Sequence, residues 1–391
     1  MRKILTLLSL TLALSCTSNL PIFANGVLKL VNAGSTNNQQ NDLLGWDDQL
    51  WGSMQKPGDK QALLQSIDYS LRYIDTPAAI RRYRKFSASG ITRDRVKRSL
   101  IRFRQLLLTS QNPQELQAAV KREFQFYRTT GRDGKGSVLF TGYYQPVHEA
   151  SKVETAEFRY PVYGVPPDFF RWRRPHPTRA QLEGRDGLQG DKGRLRGLEI
   201  AWLRDRLEAY VIHIEGSAVL QFTDGSTISI SSAAATDYPY VSLGKELVRA
   251  GQAPKEGLTF PVLIKYFADK PRKLDNFITR NNRFVFFDIK NDLDARGSLS
   301  LPLTADRSVA TDKSIMPPGA LALIYAPLPF PNSQGKMEEK FVSRYVLDQD
   351  AGSAIKGAGR VDYFMGTGQS SEARASVTMG TGQFFYLLLK Q

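Results

Sequence analysis

The sequence predicts a mainly β protein preceded by helices, and two observations carry that expectation. Up to about residue 124 the apolar residues recur at helical spacing. From about residue 137 they fall instead into short β-branched and aromatic runs broken by Gly, Pro and Asp-Gly turns. No internal repeat is visible. A helical lead-in followed by many short strands favours one or two β-barrels over a doubly wound sheet.

Taken in order, the chain opens with Arg2 and Lys3 before an apolar run from Ile4 to Leu14. This is the pattern of a secretory signal and is short for a membrane span. Cleavage is expected after Ala24, or before Cys16 with lipidation of that cysteine. Cys16 is the one cysteine, so no internal disulfide is expected. Residues 25–45 are small and polar and read as a disordered tether. In "TRDRVKRSLIRFRQLLLTS", Val96, Leu100, Phe103 and Leu107 share one helical face. "NPQELQAAVKREF" adds Asn112 as N-cap, Pro113 in the first turn and Glu115 at N3. "VLFTGYYQPV" (138–147) and "EAYVIHIEGSAVLQFTDGSTISIS" (208–231) read as strands, the latter with Asp224-Gly225 as a hairpin turn. Short helices are expected from about Ser242 to Gly251 and over 272–281. After the apolar strand "RFVFFDI", only strands and turns are expected to the C-terminus.

Of the 391 residues, 41% are hydrophobic and 23% charged, an ordinary soluble composition. The net charge of +15 is not ordinary and favours an anionic partner. Export argues against nucleic acid and for a polymer of the cell envelope. The three histidines, His148, His176 and His213, have no ligand-like spacing, so neither metal nor cofactor is expected. There is no Gly-x-Ser-x-Gly elbow and no phosphate-binding loop. What remains is acids: Asp350 and Asp362 flank the glycine-rich stretch "DAGSAIKGAGRVD", and Asp312 precedes the stiff turn Pro317-Pro318-Gly319. Paired tyrosines beside prolines, in "TGYYQP" and "TDYPYVS", suit stacking against sugar rings.

These segments, in this order, resemble the MltA family of lytic murein transglycosylases with its C-terminal 3D domain, named for three aspartates. The matching stretches are "FTGYYQPV", "GLEIAWLRD", "IHIEGSAVLQFTDGS", "YPYVSLGKEL", "NRFVFFDI", "DRSVATDKSIMPPGALALI" and "RVDYFMGTG", spread over residues 138–391. The resemblance implies a double-psi β-barrel domain with a second, smaller β-domain inserted. Residues 46–147 would be the helical lead-in and first part of the barrel, 148–282 the insert, and 283–391 the second, catalytic part. It implies a carbon–oxygen lyase of the periplasm or envelope, anchored to the outer membrane where Cys16 is lipidated. Such an enzyme would act as a monomer on a peptidoglycan glycan strand. The MurNAc–GlcNAc bond is cut and a 1,6-anhydro sugar formed. Asp362 falls on the catalytic acid, with Asp350 and Asp312 in support. Thr141, Tyr143, Tyr144, Gly216, Ser217, Tyr238 and Tyr240 fall on the groove.

The chain departs from the family at Glu215, where glutamine is usual, and at Ala218, Thr236-Asp237 and Ser353. Two alternatives share the barrel: a non-catalytic glycan binder, and a hydrolase that admits water. A lytic transglycosylase needs one acid where a hydrolase needs two carboxylates. Its nucleophile is the substrate's own C6 hydroxyl, and such tethered attack reaches effective concentrations of ~10⁵ M or more. Asp362 would have to hold a proton near neutral pH, raised by burial and by Asp350.

Overall fold

The computed structural model describes residues 26–31, 44–53, 56–86, 90–253, 260–268, 270–290 and 292–391. The signal and Cys16 lie outside them.

Ahead of the barrel come β1 (Leu28–Leu30), a two-residue ladder of β2 (Gly52–Ser53) and β3 (Lys56–Pro57), and four helices: α1 (Lys60–Ile74), α2 (Pro77–Arg84), α3 (Arg93–Thr109) and α4 (Pro113–Glu123). α4 starts as its sequence requires. The Asn112 side chain accepts the Glu115 N–H at 2.9 Å, and Glu115 reaches back to the Gln111 N–H at 2.8 Å. α3 buries the stripe Val96, Leu100, Phe103 and Leu107. Its Phe103 meets Tyr345 of the barrel edge-on at 4.6 Å.

β4 (Phe124–Thr129) and β5 (Val138–Gln145) lead into the inserted region. This holds β6 (Val147–Ala150), β7 (Tyr160–Tyr163), α5 (Arg179–Glu183), β8 (Glu199–Leu203), α6 (Arg206–Glu215), β9 (Ser217–Phe222), β10 (Thr227–Ala235), α7 (Leu243–Arg249), α8 (Phe260–Ala268), α9 (Pro271–Ile278) and β11 (Val285–Lys290). The chain then returns through β12 (Ser308–Ala310), β13 (Leu321–Pro331), β14 (Met337–Asp350), β15 (Arg360–Thr367), α10 (Gln369–Ala375) and β16 (Met379–Leu389).

The expected barrel with its insert is present. Six strands close a ring in the order β16, β13, β14, β12, β15, β5 and back to β16. The pairs β12–β14 and β15–β5 are parallel, so strands distant in sequence lie side by side at the site. The insert carries a four-stranded sheet, β11-β10-β9-β6, with its own apolar core of Ala150, Ile212, Leu220, Ile230 and Phe287 among others. The Asp224-Gly225 hairpin forms as read, with Ile228 opposite Leu220.

Four expectations are corrected. Residues 206–215 are helix, not strand: the Asp205 carboxylate caps the Leu207 and Glu208 N–H groups, and Gly216 ends the helix at φ 77°. Its β-branched residues are tolerated because Leu207, Tyr210 and Val211 pack against α7 and α9. Residues 28–30, expected in a tether, pair with β4 as an edge strand, with Val27 buried beside them. Main-chain pairing to an existing strand needs little side-chain signal. The 283–290 segment, expected to reopen the barrel, first completes the insert's sheet as β11 beside β10. The C-terminal region also contains the short helix α10.

Behind the barrel, Arg307 is fully buried. It donates to Asp47 at 2.6 Å, to Asp59, and to the Tyr345 carbonyl at 2.7 Å. The segment ahead of α1 is thereby fastened to the C-terminal strands of the barrel.

Candidate active site

Register places the acids. Ala310 on β12 is opposite Asp350 on β14 and opposite Asp362 on β15, and Asp362 is opposite Thr141 on β5. The four residues form one row across four adjacent strands. At roughly 4.8 Å per strand, the two acidic Cα positions stand about 10 Å apart. The small Ala310 between them leaves the floor open. The loop 351–359 carries the chain over β12 from one acid to the other. Gly357 at φ 81° makes the turn, and its N–H is held at 2.8 Å by Asp312.

The row forms the floor of a groove of about 1180 Å³ that barrel and insert line together. Thr141, Tyr143, Asp350 and Asp362 come from the barrel; Glu215, Gly216 and Tyr240 come from the inserted region.

The two central acids differ in their partners. The Asp350 carboxylate accepts three bonds: Ser298 N–H and Ala351 N–H at 2.7 Å each, and the Tyr143 hydroxyl at 2.9 Å. Gly297 makes the first possible, because a Cβ there would lie 2.7 Å from the Gln349 carbonyl and 3.1 Å from the Asp350 carboxyl carbon. Asp362 accepts one bond, from the Thr141 hydroxyl at 2.6 Å. Burial pushes both above the ordinary carboxylate range. Arg360 pulls Asp362 back and Asp350 pushes it up, but burial is the largest influence. Three fixed donors favour the charged form of Asp350; Asp362, with one, is the better proton carrier.

Asp312 is a support. It is buried, which pushes its carboxyl up, but bonds from Gly357 and Ser314 and the charge of Lys356 more than offset this and hold it low. Behind β14, the buried Lys313 pairs with Asp348 and donates to the Asp350 carbonyl.

Other expected groove residues divide. Thr141, Tyr143, Gly216 and Tyr240 line it. Tyr144 is 5% exposed and belongs to the barrel core, with its N–H 3.5 Å from the Glu215 carboxyl. Ser217 is buried on β9. The Tyr238 hydroxyl donates to the His176 carbonyl at 2.6 Å, on the insert beside the groove. Sequence reading missed Ser298 and Gly297, which sit in a loop with no motif. Glu215, marked in the sequence as a departure from the family and as the next proton donor to consider after the aspartates, has a carboxyl that burial pushes up to about 8. Among the described residues no cluster of His, Cys, Asp and Glu is arranged to hold a metal ion.

A closed barrel with half-buried acids on its floor, roofed by an inserted β-domain, defines a class of two-domain proteins with a groove fit for an extended ligand. Comparison with known proteins narrows this. Residues 139–288 match the MltA specific insert domain, and residues 307–388 match the 3D domain. The chain belongs to the MltA family. It is 31% identical over 252 residues to membrane-bound lytic murein transglycosylase A of Escherichia coli K12, covering 64% of this chain and 65% of that protein. The Vibrio cholerae protein of the same name is 30% identical over 240 residues, covering 61% and 62%. The chain thus aligns with less than two thirds of the length of these relatives. The crystal structure of E. coli MltA with bound chitohexaose superposes with a TM-score of 0.69 at 22% identity, over 94% of this chain and 96% of that one.

Proposed function

We propose that the chain is a lytic transglycosylase that cleaves the MurNAc–GlcNAc bond of peptidoglycan and leaves 1,6-anhydro-MurNAc ends in wall turnover. The observation that carries this reading is Asp362: a half-buried carboxyl on the floor of a long groove, with one hydroxyl partner and a raised proton affinity. The names of the aligned relatives and the chitohexaose held by the structural neighbour support the substrate class.

In this mechanism the protonated Asp362 gives its proton to the glycosidic oxygen as the bond to C1 breaks. The C6 hydroxyl of the same MurNAc attacks C1, and the Asp362 carboxylate takes its proton. No water is consumed, and the acid returns to its starting form. Asp350 orders the floor and opposes ionisation of Asp362 by its charge. Asp312 holds the loop that joins them. Tyr143, Tyr240 and Gly216 contact the glycan. The barrel segments on both sides of the insert form the catalytic domain. The chain works as an exported monomer in the periplasm or envelope, with the apolar N-terminus as its export signal and Cys16 as a point of lipid attachment to the outer membrane. The relatives' "membrane-bound" names support an envelope location, and among the described residues no helix is long and apolar enough to cross a membrane.

Digestion of purified sacculi followed by mass spectrometry tests the reading. Anhydro-muropeptides are expected, with Asp362→Asn lowering their release ~10²–10⁴-fold or more, since one group serves as acid and base. Reducing ends would make the protein a hydrolase, and unaltered glycan a binder. Undiminished activity in Asp362→Asn would move the proton donor elsewhere.

A further inference from the structure

Glu215 is the last residue of α6, and Gly216 turns the chain away directly after it. Ile214, Glu215 and Gly216 all line the groove, so the helix ends there. The carbonyl end of a helix carries partial negative charge, which disfavours an anion beside it. The Glu215 carboxyl accepts one long bond, from the Tyr144 N–H at 3.5 Å. Two carboxyls act on it: Asp362 from β15 and Glu372 from α10. Three phenols feel its charge, Tyr143 and Tyr144 on β5 and Tyr240 ahead of α7. No arginine or lysine forms a salt bridge with Glu215 among the described residues. On the opposite side, Asp362 is faced by Arg360 and Asp350.

A desolvated carboxyl at a helix end, with one long hydrogen bond and no salt-bridge partner among the described residues, is poorly placed to ionise while Asp362 is charged. We propose that Glu215 and Asp362 act as a coupled carboxyl pair that holds one proton between them across the neutral range, with Glu215 a positioning residue for the proton that Asp362 delivers. The consequence rests on the lytic-transglycosylase reading; the coupling itself does not. As pH rises, the first proton to leave puts one negative charge on the pair. That charge opposes loss of the second, so a proton stays available to the glycosidic oxygen at higher pH than Asp362 alone would allow. Burial and the Asp362 charge, in that order, push Glu215 up to about 8.

Two measurements on the full chain test this. Carboxyl carbon NMR of protein labelled at Asp and Glu side chains follows each titration without substrate, with the missing signal in each variant giving its assignment. In Glu215→Gln the Asp362 midpoint is expected to fall by about one pH unit, and in Asp362→Asn the Glu215 midpoint to fall similarly. Midpoints that do not move in either variant overturn the pairing. The second measurement is the pH profile of anhydro-muropeptide release. Its alkaline limb should move toward acid in Glu215→Gln by the same amount. A limb that stays in place, or moves toward alkali, overturns the positioning role. Coupled midpoints in a wild-type protein that releases no anhydro-muropeptides would leave the pair standing and reject the lytic reading instead.

Discussion

Asp362 and Asp350 are the same residue type in the same row, yet their surroundings divide the labour. Three donors converge on Asp350, two of them rigid backbone N–H groups, while Asp362 has a single rotatable hydroxyl. Asp362→Asn is therefore expected to fold normally, because the Thr141 hydroxyl can donate to the new amide oxygen. Glu215 gives a second prediction at this scale, one of stability. Below its ordinary value of 4.5, Glu215 is protonated whether the chain is folded or not. As pH rises, the unfolded chain releases the proton while the folded one keeps it up to about 8. Stability is thus lost between about 4.5 and about 8, on the order of 4 kcal/mol if the full shift is realised. Glu215→Gln should gain on the wild type steadily across that range in urea unfolding. Parallel pH curves for the two proteins would mean that Glu215 ionises freely.

Among the elements, α6 is the one whose position matters most to the groove, since its last residue reaches the acids. Asp205→Ala removes the cap on Leu207 and Glu208 and should cost about 1 kcal/mol, read as a lower melting temperature. A change within error would show that the helix is held by packing alone. This helix also shows where sequence reading stops. Its run "LEAYVIHIE" carries a β-like composition, and the competing signals, an Asp cap and a Gly stop, are short. The helix is decided by contacts to α7 and α9, more than thirty residues away. By contrast, α4 was legible because Asn112, Pro113 and Glu115 act locally, and the β9–β10 hairpin because Asp224-Gly225 fixes its turn. The same distinction holds at the site. The three aspartates and their order could be recognised through family resemblance. That Asp350 and Asp362 lie in one row with Thr141 could not, because parallel pairing joins residues over two hundred positions apart. Tyr144 was misassigned for a simpler reason: side chains alternate along β5, so of two adjacent tyrosines only one faces the groove.

For the molecule as a whole, two features make testable claims. The first is the anchoring of the N-terminal segment. A chain beginning at residue 45 loses β1 and buried Val27 but keeps Asp47 and Asp59. It should melt earlier than the longer chain and remain active. A chain beginning at residue 60 leaves Arg307 buried without its carboxylates, at a cost of about 3–5 kcal/mol, and should not fold stably. Equal melting temperatures for the two truncations would deny the clamp its role. The second is charge. Among the described residues, eight Arg and Lys line the groove against four Asp and Glu. Binding of glycan strands that carry acidic peptide stems should weaken as salt rises from low to physiological ionic strength, while neutral chitooligosaccharides should respond less. Identical salt dependence for both would show that the stems do not feel the groove's charge.

The closing of the ring has a bearing on when the protein becomes competent. β16 is the last strand of the chain, and it pairs with β13, with β4 and with β5, the strand that carries Thr141. Without it the ring is open, and the row beneath the groove has lost a neighbour on the side of β5. Asp312, Asp350 and Asp362 all precede β16, so a fragment that stops after Thr367 holds every acid of the site and lacks the strand that closes the ring beneath it. The acids and the enclosure that sets them on one floor are thus supplied by separate stretches of sequence.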